Sequence, residues 1–110
     1  MVEVFYRYRV HPEQARAFEH AFGPHGPFAA LFATHPGYRR TRLFKQRGED
    51  DVYISMDVWE SKAQWDAFRA AHASRYAQIE RELHLLYLEE LLLGFFEGDD
   101  EYHAPFEAVV

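Results

Sequence analysis

The chain has 110 residues, 48% of them hydrophobic and 17% aromatic, with 12 Lys and Arg against 18 Asp and Glu for a formal net charge of -6. That length fits one domain, and folding a chain of this size buries roughly two-thirds of its extended surface, so a true core is available. The absence of cysteine removes disulfides, thiolate nucleophiles and Cys-ligated zinc or iron–sulfur sites, and fits a reducing compartment.

Val2, Val4, Tyr6, Tyr8 and Val10 share one parity, while Glu3, Arg7 and Arg9 take the other, which predicts a strand over 2–10. A start of this kind does not read as a signal peptide. Pro12 suits the first turn of a helix whose Ala15, Phe18 and Phe22 fall on one face. The Gly23-Pro24-His25-Gly26-Pro27 cluster breaks that helix. A second, short helix then carries Phe28, Leu31 and Phe32 to about Thr34, where His35-Pro36-Gly37 stops it.

Residues 38–47 read as a strand rich in arginine, suited to a sheet edge, where cations discourage unwanted pairing. The Arg39-Arg40-Arg42 cluster reads as a solvated edge before it reads as a site for an acidic ligand. After the polar Gly48–Asp51 loop, residues 52–59 alternate clearly: Val52, Ile54, Met56 and Val58 one way, Tyr53, Ser55, Asp57 and Trp59 the other. Ser61 and Gln64 form a capping-box start. Beyond it Trp65, Phe68, His72, Tyr76, Ile79, Leu83 and Leu86 fall within a helical sector of about 80°. Arg69 and Arg81 are expected on the solvated side, and a bend near Ala73-Ser74 would divide the helix in two. Residues 91–97 read as a last short strand, and 98–110 as an acidic tail outside the 1–97 domain.

The order β-α-β-β-α-β predicts an α+β, ferredoxin-like protomer with an antiparallel sheet covered by helices on one face. Phe5, Tyr53 and Trp59 are expected on the second face, too aromatic for open water, which predicts a face-to-face homodimer. The net acidity argues against nucleic acid as a partner. The longest apolar run is far below the about 20 residues of a membrane span. The chain reads as cytoplasmic.

No phosphate loop, GxSxG elbow or HExxH motif is present, and the seven histidines show no metal-ligand spacing, so no metal site is assigned. His72 stands mid-stripe between Phe68 and Tyr76, where an apolar residue would be cheaper. One reading is a core histidine bonded to a neighbour. The other is a catalytic group in an aromatic cavity, orienting a substrate or moving a proton. Trp65, Phe68, Tyr76 and Tyr6 would then be its substrate-binding walls, although a ring stripe at helical spacing is also ordinary core.

Several short motifs in order resemble the antibiotic-biosynthesis monooxygenase-like family: His35-Pro36-Gly37-Tyr38 before a strand, Asp57-Val58-Trp59-Glu60-Ser61 opening a helix, Phe68, His72 and Arg75-Tyr76, then Leu93-Gly94-Phe95-Phe96-Glu97. The resemblance covers about residues 2–97. It implies a dimeric α+β barrel and oxidation of small aromatic or quinol-like compounds between helices and sheet, with no metal or flavin cofactor. A haem-degrading branch of that superfamily carries an Asn on its first strand, where this chain offers Tyr6 and Tyr8. A non-catalytic ligand-binding dimer, or a haem or metal binder, are the alternatives to a monooxygenase.

Overall fold

The computed structural model describes residues 1–98; the tail expected over 98–110 falls, but for its first residue, outside the described residues. Strands β1 (Val2–Val10), β2 (Tyr38–Lys45), β3 (Val52–Trp59) and β4 (Tyr87–Glu97) form one antiparallel sheet in the order β2-β3-β1-β4. Helices α1 (Ala15–Phe22) and α2 (Pro27–Phe32) follow β1, and α3 (Lys62–Ala71) and α4 (Ala73–Leu83) follow β3. This is the α+β, ferredoxin-like arrangement expected from the element order.

Each boundary has a local cause. Ser61 caps α3 by accepting a hydrogen bond from the Gln64 backbone N–H at 3.1 Å. The long amphipathic stretch divides at His72, whose backbone leaves the helical region (φ -119°, ψ 24°). Between α1 and α2, Gly26 lies so close to the Ala21 carbonyl that a Cβ there would sit 1.9 Å from its oxygen. Two short helices can therefore cross at this turn only with glycine in that place. The arginine-rich β2 takes the sheet edge and ends at Lys45, two residues before the expected limit. The last strand starts at Tyr87 rather than at 91, because Tyr87–Glu90 pair with the far end of β1.

The helices cover one sheet face, and there the sequence-based assignment of β3 is reversed. Val2 and Val4 of β1 lie directly across from Trp59 and Asp57 of β3, so all four point to one side. That side is the helical one. Trp59 is fully buried against Phe32, Trp65 and Phe68, and Tyr53 against Phe18. Of the three rings expected on the outer face, only Phe5 is there, edge-on to Phe96 at 5.3 Å. Val52, Ile54, Met56 and Val58 are the residues of β3 on that outer face, opposite Arg9, Arg7, Phe5 and Glu3.

Candidate active site

A cavity of about 20 Å³, room for about one water molecule, lies between the sheet and the helices. Phe22, Phe28, Ala29 and Phe32 of α1 and α2 form its apolar wall, and the phenols of Tyr6, Tyr8 and Tyr76 line the other side. Its floor is polar: Thr41 of β2, Ser55 and Asp57 of β3, and Glu90 of β4.

Asp57 is the unusual group. It sits in the interior strand β3, with its residue surface 7% exposed. Its Oδ1 accepts a hydrogen bond from the Thr41 hydroxyl at 2.6 Å, and Thr41 Oγ1 accepts one from the Tyr38 hydroxyl at 2.8 Å. Among the described residues no cation pairs with it. Burial drives its pKa up to about 6, and the Thr41 hydrogen bond only partly opposes that shift. A carboxyl that changes charge near neutral pH inside an aromatic cavity is suited to accept a proton from a bound acid.

The phenols around it are held protonated. Burial raises Tyr8 and Tyr76 well above the ordinary tyrosine value, with the nearby Glu90 charge adding to the effect on Tyr8. Tyr6 is raised by burial and by the Glu90 charge, which Arg69 partly opposes. These groups can donate hydrogen bonds to a ligand but do not serve as bases. Glu90, exposed at the edge of the cavity, is raised more modestly by partial desolvation. Arg69, expected in solvent, lies half-buried with its guanidinium 3.8 Å over the Tyr76 ring.

The structure brings together part of the residue set expected from sequence. Tyr6 and Tyr76 line the cavity. Trp65 and Phe68 belong to the packed cluster beneath it, 6.0 Å apart and stacked, with Trp59 and Phe32 against them. His72 stands at the α3–α4 break, half-buried, its ring stacked on Phe68 at 5.0 Å and outside the cavity lining. Its stripe position follows from the helical period, but the break turns it from the pocket toward the helix junction. Asp57, Thr41, Ser55 and Glu90 were given no site role from sequence, Glu90 reading there as part of a solvated charge run with Glu89. The signal for Asp57 was a lone carboxylate on an apolar and hydroxyl strand, which becomes visible only once that parity is placed inward.

Among the described residues, no three His, Asp or Glu side chains gather as a metal-ligand group, and no helix is long and apolar enough to cross a membrane.

Comparison with known proteins gives consistent matches. The sequence model of the antibiotic biosynthesis monooxygenase family matches residues 1–78. Deoxynogalonate monooxygenase from Streptomyces nogalater is 39% identical over 67 residues, which is 61% of this chain and 51% of that one. The match thus spans about half the length of this curated relative. Among solved structures, a point mutant of SnoaB, a cofactor-independent oxygenase from Streptomyces nogalater, superposes with a TM-score of 0.64 at 25% identity, covering 90% of this chain and 93% of that one. A conserved protein from Methanosarcina mazei shares the fold, with a TM-score of 0.65 at 12% identity over 89% and 92% of the two chains.

Proposed function

The chain belongs to the antibiotic biosynthesis monooxygenase family, and from that premise we propose that it is a cofactor-independent monooxygenase acting on a small aromatic or quinol-like compound. The observation that carries this reading is the Asp57 carboxyl, buried at the floor of an aromatic cavity and titrating near neutrality. The similarity to a cofactor-independent oxygenase supports it.

In this reading Asp57, rather than His72, takes the proton of the bound substrate. The resulting anion is electron-rich enough to reduce dioxygen itself. One oxygen atom is retained in the product and the other leaves as water, so the substrate supplies the electrons. The protein contributes position and electrostatics. Tyr6 and Tyr76, kept protonated, donate hydrogen bonds to developing negative charge, while Phe28 and Phe32 stack on the ring. The cavity as folded is filled by its own aromatics, so entry of a ring requires α2 to yield, and its Gly-Pro borders make it the separable element.

A second copy of the chain completes the molecule in this reading. Strand β4 is a sheet edge with apolar side chains on both faces: Leu91 and Phe96 outside, Leu92 and Phe95 on the helical side. Leu91 is 55% exposed and Phe96 49%. An edge of this kind is stable in water only when covered.

The test is oxygen uptake across a panel of phenols and quinols, with Asp57→Asn and His72→Phe compared. We expect Asp57→Asn to lose at least a hundredfold in turnover and His72→Phe to keep most of it. The reverse pattern would return the base to His72. Ligand binding without oxygen uptake by the unaltered protein would favour a non-catalytic binding dimer.

A further inference from the structure

The hydrogen-bonded chain ending on Asp57 depends on an irregularity in β2. Tyr38 and Thr41 are three residues apart, and in a regular strand that odd spacing puts side chains on opposite faces. Here the β2–β3 register shifts: Tyr38 lies across from Trp59 and Arg40 across from Val58, leaving Arg39 as an extra residue. The bulge returns Tyr38 to the helical face, where its ring packs on Trp59 and Phe32. Thr41 lies directly across from Asp57. The result is an unbroken line from the half-buried Tyr38 hydroxyl through Thr41 Oγ1 to Asp57 Oδ1, with steps of 2.8 and 2.6 Å.

We propose that Tyr38 and Thr41 are positioning residues of the cavity carboxyl, a two-hydroxyl path that holds Asp57 ready as a base and returns its proton to solvent along the sheet edge. The inference rests on the reading of Asp57 as the base. With Asp57 ionised, both hydroxyls point their protons toward it. After Asp57 has taken a substrate proton, the line reverses. The carboxyl proton passes to Thr41 Oγ1, the Thr41 proton to Tyr38 Oη and the Tyr38 proton to water, so each oxygen ends with the protons it began with.

The other groups around Asp57 leave this role to β2. Tyr6 and Tyr8 of β1 and Tyr76 of α4 are phenols with raised pKa, and α1 and α2 present Phe22, Phe28 and Phe32. Arg69 of α3 acts on the Tyr6 and Tyr76 phenols. Glu90 of β4 is the second carboxyl lining the cavity, and its charge raises the Tyr8 pKa. Any measurement must therefore resolve Asp57 from Glu90.

The test is a carbon-detected NMR titration of the intact protein labelled at the Asp carboxyl carbon, with the Asp57 signal assigned by its loss in Asp57→Asn. Thr41→Val keeps the shape of the side chain and removes the donor. We expect it to move the Asp57 midpoint up by about one to two pH units, and Thr41→Ser to restore it. Tyr38→Phe leaves the Thr41 donor in place. It should shift the midpoint less, lower kcat with KM unchanged, and raise the solvent isotope effect on kcat. An unmoved midpoint in Thr41→Val, or a Tyr38→Phe enzyme with unaltered kcat and isotope effect, overturns the path even if Asp57→Asn is inactive. Full turnover in Asp57→Asn instead overturns the base itself, whatever the titrations give.

Discussion

Burial moves the Asp57 carboxyl from 3.8 up to about 6, which has opposite consequences for stability and for chemistry. Between those two values the folded state binds more protons at this site than the unfolded chain does. The stabilising contribution is therefore complete below about pH 4 and is lost as pH rises through 6. The chemistry needs the ionised form, so turnover should rise over the same interval in which stability falls, as is common where function requires a buried charge. Asp57→Asn keeps the shape and gives up the charge. We expect it to gain roughly 1–3 kcal/mol of unfolding free energy at pH 8 and little at pH 4, measured by denaturant unfolding at both. A gain that is equal at the two pH values would place its origin in packing instead.

At the scale of elements, the proposed function makes α2 the part that would decide what the cavity admits. It is six residues long, too short to be stable alone, and is held by the rings of Phe28 and Phe32 against Tyr76 and the Trp59 cluster. Of the three phenylalanines that line the cavity, Phe28 is the one that remains partly exposed, 5.1 Å from Tyr76 and 5.6 Å from Phe22. We expect Phe28→Ala to lower stability by about 2–3 kcal/mol and to lower KM for larger ring systems more than for small phenols. Steady-state kinetics over substrates of increasing ring number checks this. A uniform change across the series would show that Phe28 is a packing residue only. Strand β2 has the complementary role: its bulge at Arg39 sets which hydroxyls reach the cavity floor.

At the scale of the whole molecule, the sheet among the described residues has one layer of helices and carries an apolar patch on its other face. Ile54 and Met56, with Phe5 and Phe96 beside them, form that patch among Glu3, Arg7 and Arg42, and β4 extends it to an edge that has no partner strand among the described residues. A second copy facing this sheet would remove both features from water. The double variant Leu91→Glu with Phe96→Glu puts two charges on that surface without touching the helical core. It should convert a dimer to a monomer in analytical ultracentrifugation while the far-ultraviolet circular dichroism is retained. An unaltered protein that sediments as a monomer at high concentration would remove the proposed assembly.

The sequence by itself determined the elements, their order and most of their limits, because period-two and 3.6-residue patterns, the Ser61 cap and the Gly-Pro breaks are local properties of the chain. It also placed β2 at the edge through its arginines and Phe5 on the outer face of β1. The tertiary structure alone decided which face of β3 points inward. Alternation defines two faces but does not name them; pairing with β1 does, by setting Trp59 and Asp57 across from Val2 and Val4. An apolar Val-Ile-Met-Val face therefore went outward, and the face with a carboxylate went into the core. The extra residue at Arg39 was equally hidden, since it shifts side chains by a local change of backbone register that composition does not record, whereas the division of the long helix, expected near Ala73-Ser74, falls one residue earlier at His72. The candidate base and the hydroxyls that reach it come from those long-range pairings, not from any motif.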